Sequence, residues 1–131
     1  MRYSVMIDES ALMRPVGGVT VMNDQLDALR TAVESGTCDL SVFPMRAGFH
    51  SILDGPFTLL TFDGKHSDLV FIEGPAGASF YDKPDVVKRF GDLFESASKM
   101  ALHGVELASR LKRAHLDFSA DANGVSLGVS R

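Results

Sequence analysis

Five polar residues stand where strand ends and loops can gather chemistry: Glu9, Arg14, His50, Glu73 and Tyr81. Glu9, with Asp8 before it, and Glu73 each follow directly on a strand-like run. Carboxylates so placed can converge in a cleft as acid and base, or they can cap turns and pair with Arg14. His50 falls in the long loop between strands, where sites concentrate. Metal chemistry needs clustered ligands, but His50, His66, His103 and His115 lie in separate segments and none is spaced i, i+4 from another. Cys38 is the lone cysteine, which excludes an internal disulfide and a cysteine-based metal site. The expectation is no metal and no cofactor. No G-x-S-x-G elbow occurs, and Cys38 opens a strand instead of a helix, so nucleophilic catalysis is not indicated. Gly17-Gly18 lacks the spacing of a phosphate-binding loop and reads as a plain turn. The methionines Met6, Met13, Met22, Met45 and Met100, with nine phenylalanines, can line an adaptable pocket, although such residues are more often core.

Charge narrows the partners. Seventeen acidic side chains against 13 basic ones give a net charge of −4, and useful polyanion binding needs several phosphate contacts, so direct nucleic-acid binding is not expected. The short run Arg110, Lys112, Arg113 reads as the cation-rich last turn of a helix. No apolar run approaches the ~20 residues of a membrane span, and Met1-Arg2-Tyr3 leads straight into a strand-like segment, unlike a signal peptide. A cytoplasmic location, no membrane partner and a reducing compartment are expected.

The elements that must position these residues follow from periodicity. Tyr3–Ile7 reads as a strand, and Met22, Leu26, Leu29 and Val33 recur at helical i, i+4, i+7, i+11 spacing, from a Thr20 N-cap to a stop at Gly36. Leu40–Phe43 is a second strand ended by Pro44. Phe57–Phe62 and Leu69–Ile72, joined by a polar turn, form a hairpin. Asp82-Lys83-Pro84-Asp85 starts a helix, with Val87, Phe90, Phe94, Ala97 and Ala101 on one face. Gly104 breaks it, and Leu107, Ala108 and Leu111 carry an apolar stripe on to about His115. The expected fold is α+β: a mixed sheet of about four strands in the order β-α-β-β-β-α-α, helices packed on the sheet, the first two strands parallel. At 131 residues, one domain over 1–115 suffices. Residues 116–131, with Gly124 and Gly128, read as a C-terminal extension, a short strand or a loose tail.

One combination resembles a known family. Asp8-Glu9-Ser10-Ala11-Leu12, Arg14-Pro15-Val16-Gly17-Gly18, Val21-Met22, Gln25-Leu26, Leu40-Ser41-Val42-Phe43-Pro44, Ala47-Gly48, His50, Asp54-Gly55-Pro56-Phe57, Leu59-Leu60 and Phe62 follow one another in the order seen in the C-terminal domain of actinobacterial helix-turn-helix regulators of the antitoxin-like, WhiJ-like group. Val70, Glu73-Gly74, Asp82-Lys83-Pro84 and the Phe94–Leu102 helix continue the match. The resemblance implies a domain of undefined biochemistry, fused behind a DNA-binding domain in regulators encoded beside small partner proteins, and acting as the sensing or partner-binding part. The DNA-binding domain has no counterpart here, which is expected of an excised fragment or of a domain that stands alone.

Two function classes follow. The first is the regulatory ligand- or partner-binding domain of an antitoxin-like transcription regulator, taking a small molecule or a small partner protein, with a homodimer compatible, through a groove framed by the Arg14–Gly18 and Gly48–Gly55 loops. The second is a stand-alone cyclase- or isomerase-type enzyme of actinobacterial secondary metabolism, since a shaped pocket that holds a reactive conformer supplies much of the rate. Enzyme status is left open. A closed apolar pocket with two of the five polar residues inside favours the enzyme; a flat, exposed apolar patch favours partner binding.

Overall fold

The computed structural model describes residues 2–122. Along them run β1 (Ser4–Asp8), a 3-10 turn (Glu9–Leu12), α1 (Val19–Glu34), β2 (Asp39–Phe43), two further 3-10 turns, β3 (Thr58–Leu60), β4 (Leu69–Gly74), β5 (Gly77–Tyr81), α2 (Pro84–Ser98) and α3 (Gly104–Ala122). The fold is α+β, with the strands shared between a two-stranded and a three-stranded sheet. The chain divides into two compact units: unit 1 takes the residues up to Arg46 and from Ala101 onward, and unit 2 takes Ala47–Met100.

Unit 1 is built on the expected crossover. β1 and β2 are parallel, in register from Ser4 opposite Asp39 to Asp8 opposite Phe43. A parallel pair needs a connection long enough to return, and α1 supplies it. α1 starts two residues earlier than the Thr20 cap implies. Gly18 is the N-cap residue, because its φ of 96° turns the chain in a way that a side chain at that position resists. Its C-terminal end is as expected: Gly36, at φ 69°, takes the left-handed conformation that closes a helix.

α3 is longer than the sequence pattern suggests. Leu107, Leu111, Ala114 and Phe118 are all buried, at the same i, i+4, i+7, i+11 spacing as the α1 stripe. The two stripes meet, with Leu12, Leu40 and Val42 closing the core. Ala108, expected on the stripe, is exposed. The Arg110–Arg113 run is therefore mid-helix and not a last turn; Arg113 pairs with Asp117 one turn on, at 3.1 Å. Residues 116–122 continue α3, whereas the expectation for 123–131 lies outside the described residues. Leu102 forms an isolated antiparallel bridge with Val42 (2.7 and 3.2 Å).

Unit 2 is an antiparallel meander in the order β3-β4-β5. The expected β3–β4 hairpin is present, with Leu60 opposite Leu69, and Asp68 accepts from the Phe62 amide at 2.8 Å to close its loop. β5 lies in a stretch that the periodicity did not mark as strand. It pairs with β4 from Gly74 opposite Gly77 to Val70 opposite Tyr81, leaving only Pro75-Ala76 as the turn. α2 begins with Pro84 at its first positions and Asp85 in its first turn, as expected. It packs against β3 and β4. Phe57 meets Phe90 edge to face, centroids 4.8 Å apart.

Candidate functional site

The five polar candidates divide between the units: Glu9 and Arg14 in unit 1, His50, Glu73 and Tyr81 in unit 2. Glu9 is committed to structure. Its side chain is 17% exposed, accepts from Arg110 Nε of α3 at 2.5 Å through one oxygen and from the Met45 amide at 2.7 Å through the other. Burial alone would raise its pKa, but the hydrogen bonds from Arg110 and Met45 and the nearby Arg110 and Arg46 charges outweigh that and hold the carboxyl below the usual range. A carboxylate held so firmly ionised is a poor proton acceptor at neutral pH. Arg110 Nη1 is buried with no hydrogen-bond partner among the described residues. Arg14 is exposed in the loop before α1.

His50 is likewise engaged at both ring nitrogens. Nδ1 accepts from the Ile52 amide at 3.1 Å, capping the 3-10 turn Ser51–Asp54, and Nε2 lies 3.2 Å from Ser96 Oγ on α2. Because Nδ1 accepts, the neutral ring carries its proton on Nε2 and donates to Ser96. Glu73 is exposed near the end of β4, opposite Ala78, and Tyr81 ends β5 opposite the buried Val70.

Sequence reasoning missed a polar seam between α1 and α3. Asp27 Oδ2 lies 3.5 Å from His115 Nε2, His115 Nδ1 lies 3.4 Å from Ser119 Oγ, and Asn23 Nδ2 donates to Ser119 Oγ at 3.4 Å. The side-chain types are those of a hydrolytic triad, but the hydroxyl is spent: Ser119 Oγ donates at 2.8 Å to the His115 carbonyl one turn back. These residues lie 88 to 96 positions apart in sequence or on one helix turn, so only the packing of α1 on α3 reveals them. Among the described residues no three His, Cys, Asp or Glu side chains gather as a metal site, and no helix is long and apolar enough to cross a membrane.

Two features have the character of binding surfaces. In unit 2, strand alternation puts Leu60, Leu69, Phe71 and Phe80 on one sheet face, with the Phe71 and Phe80 rings tilted by 40° and their centroids 4.9 Å apart. The opposite face, with Leu59 and Val70, receives α2. Phe80 is 69% exposed, and every residue of β5 is exposed. β5 is also a sheet edge, and Gly-Ala-Ser-Phe-Tyr carries none of the Lys, Pro or charge that usually blunts one. In unit 1, an open cleft of about 630 Å³ lies between the start of the β1–β2 pair, the turn after α1 and the start of α3, with the charged Arg2 and Asp39 as well as Tyr3, Cys38, Leu40 and Leu107 in its wall. None of the five polar candidates lines it.

No curated protein and no solved structure matches the chain at a significant level. A family match runs from residue 1 to residue 113, through both units and into α3. The chain therefore belongs to the family of the domain of unknown function DUF5753.

Proposed function

We propose that this chain is the partner-binding part of an antitoxin-like regulator, and that the partner is a small protein adding an extended segment to β5. The observation that carries this reading is the open apolar face of Leu60, Phe71 and Phe80 beside a neutral, unguarded edge strand. Edge pairing supplies main-chain hydrogen bonds, and the alternate side chains of the added strand take specificity from the face beneath them. Contiguous exposed apolar surface of this kind marks interaction sites. The net charge of −4 agrees with a domain that does not itself read DNA, and the resemblance to helix-turn-helix regulators supplies the regulatory context.

The cyclase- or isomerase-type alternative draws less support. Glu9 and His50 are occupied by structural hydrogen bonds, and the five polar candidates do not line the cleft. The proposed test is isothermal calorimetry of the purified chain against the small proteins encoded beside it. Stoichiometric binding that Phe80→Asp abolishes, with the fold unchanged by circular dichroism, is expected. Binding that survives Phe80→Asp, or a chain that pairs only with itself in sedimentation, overturns it.

A further inference from the structure

We propose that the segment taken by β5 carries a large apolar residue with a lysine or arginine two positions to either side of it. This rests on the edge-pairing reading above and names the chemistry of its partner. The hairpin decides which backbone groups the partner meets. Pro75-Ala76 is a two-residue turn, so Gly74 and Gly77 exchange both hydrogen bonds across it, and the ladder alternates from there. Ser79 and Tyr81 thus bond inward to β4, whereas the N–H and C=O groups of Ala78 and Phe80 point out of the edge. β5 has no strand beyond it among the described residues.

Ala78 and Phe80 also carry their side chains on the open face, since Phe80 lies opposite Phe71 and Ala78 opposite Glu73. An incoming residue opposite Phe80 extends the Phe71 and Phe80 row and meets a ring that is 69% exposed, which calls for a large apolar side chain. The next row runs from the exposed Glu73 to Ala78, whose methyl is too short to cover the carboxylate from the edge. A strand beyond β5 lies two strand spacings, roughly 9–10 Å, from β4. A Lys or Arg opposite Ala78 lays its stem over that small residue and brings its charge to Glu73. On the other side of Phe80 the alternation arrives at Asp82, exposed just past the end of β5. The β3–β4 loop at that end adds Asp63 and Asp68 against Lys65. Lys83 leaves the strand there as the N-cap residue of α2, the helix on the opposite face. Neither Glu73 nor Asp82 forms a salt bridge among the described residues. The edge is uncharged and both ends of its face are acidic, so an apolar centre with cationic flanks matches it, and an acidic segment meets repulsion at both ends.

The experiment titrates the full chain into peptides that carry a neutral fluorophore and read alike in either strand direction: Thr-Arg-Thr-Phe-Thr-Arg-Thr, and the same peptide with Ser or with Glu for Arg. Fluorescence anisotropy gives the Kd. At low salt the Arg peptide should bind about fivefold tighter than the Ser peptide, as two exposed charge pairs allow, and the Glu peptide should bind more weakly than either. Salt of about 0.5 M should narrow the difference. Glu73→Gln combined with Asp82→Asn should erase it while the Ser peptide keeps its Kd. Phe80→Ser, which removes the ring without adding a charge, should weaken all three. Binding that depends on Phe80 but is indifferent to peptide charge overturns the cationic flanks and leaves edge pairing standing. A preference for Arg that survives the loss of both carboxylates reflects net charge alone and overturns them too. Binding of none of the peptides, binding undiminished by Phe80→Ser, or a dimer in sedimentation that takes up no peptide overturns edge pairing and this inference with it.

Discussion

Glu9 shows how a residue with the composition of a catalyst can be used up by the fold. Its two oxygens are taken by Arg110 and the Met45 amide, which tie the end of β1 to α3 and to the segment after β2. The lowered pKa carries a stability consequence of definite sign. A folded-state pKa below the unfolded one, roughly 4.3, means stabilisation that is complete above pH ~5 and fades as the pH falls through the lowered value. Urea denaturation at stepped pH should therefore show the native chain losing stability below about pH 5, with Glu9→Gln less stable at pH 7 and flatter over the acid range. Parallel curves for the two proteins would mean that the ion pair contributes nothing. His50 makes a comparable point in unit 2. Its ring joins the Ser51–Asp54 turn to α2 through Ile52 and Ser96, so His50→Ala should cost about 1–2 kcal/mol in the same assay, and an unchanged midpoint would sink that role. The surface pairs Lys88–Asp92, Lys99–Glu95 and Arg30–Glu34 are well exposed and should each matter little.

At the scale of elements, packing decides what periodicity begins. Leu107 is 1% exposed and belongs to the buried cluster that also holds Leu26, Leu40 and Leu111. Leu107→Ala should cost about 2–5 kcal/mol, whereas Phe80→Asp, at an exposed position, should cost only about 1 kcal/mol, from the lost contact with Phe71 and the lower strand propensity of Asp. Chemical denaturation of both variants checks the contrast, and a large cost for Phe80→Asp would show that the β5 face is structurally covered. The α1 helix, its Gly36 stop, the parallel β1–β2 pair and the Pro84 start of α2 were all legible, because each rests on local rules of spacing, caps and connection length. β5 was not, since Gly77, Ala78 and Ser79 have little strand propensity and are held by pairing with β4. The extension of α3 past His115 escaped notice because its stripe is carried on by Ala114 and Phe118 through polar neighbours. The site was less legible still. Glu9 and His50 were picked out by residue type, but their partners Arg110 and Ser96 lie 101 and 46 residues away. The cleft joins the ends of three elements that share no motif.

For the molecule as a whole, the order of the chain is itself informative, because unit 2 is inserted within unit 1. Unit 1 gives up the chain after Arg46 and resumes it at Ala101, and the Val42–Leu102 bridge ties the two segments together just inside those points. The core of unit 1 draws on Leu12, Leu26, Val42, Leu102, Leu107 and Phe118, all from its own two segments. Arg46 lies four positions after Val42 and Ala101 immediately precedes Leu102, so at ~3.5 Å per residue the two ends cannot stand far apart. A Gly/Ser linker of about ten residues has the reach to join them, and loop-closure entropy changes only slowly with length. A chain in which that linker replaces residues 47–100 should therefore keep a helical circular dichroism spectrum and a single cooperative thermal transition. An unfolded product would show that unit 1 depends on the inserted segment for its stability.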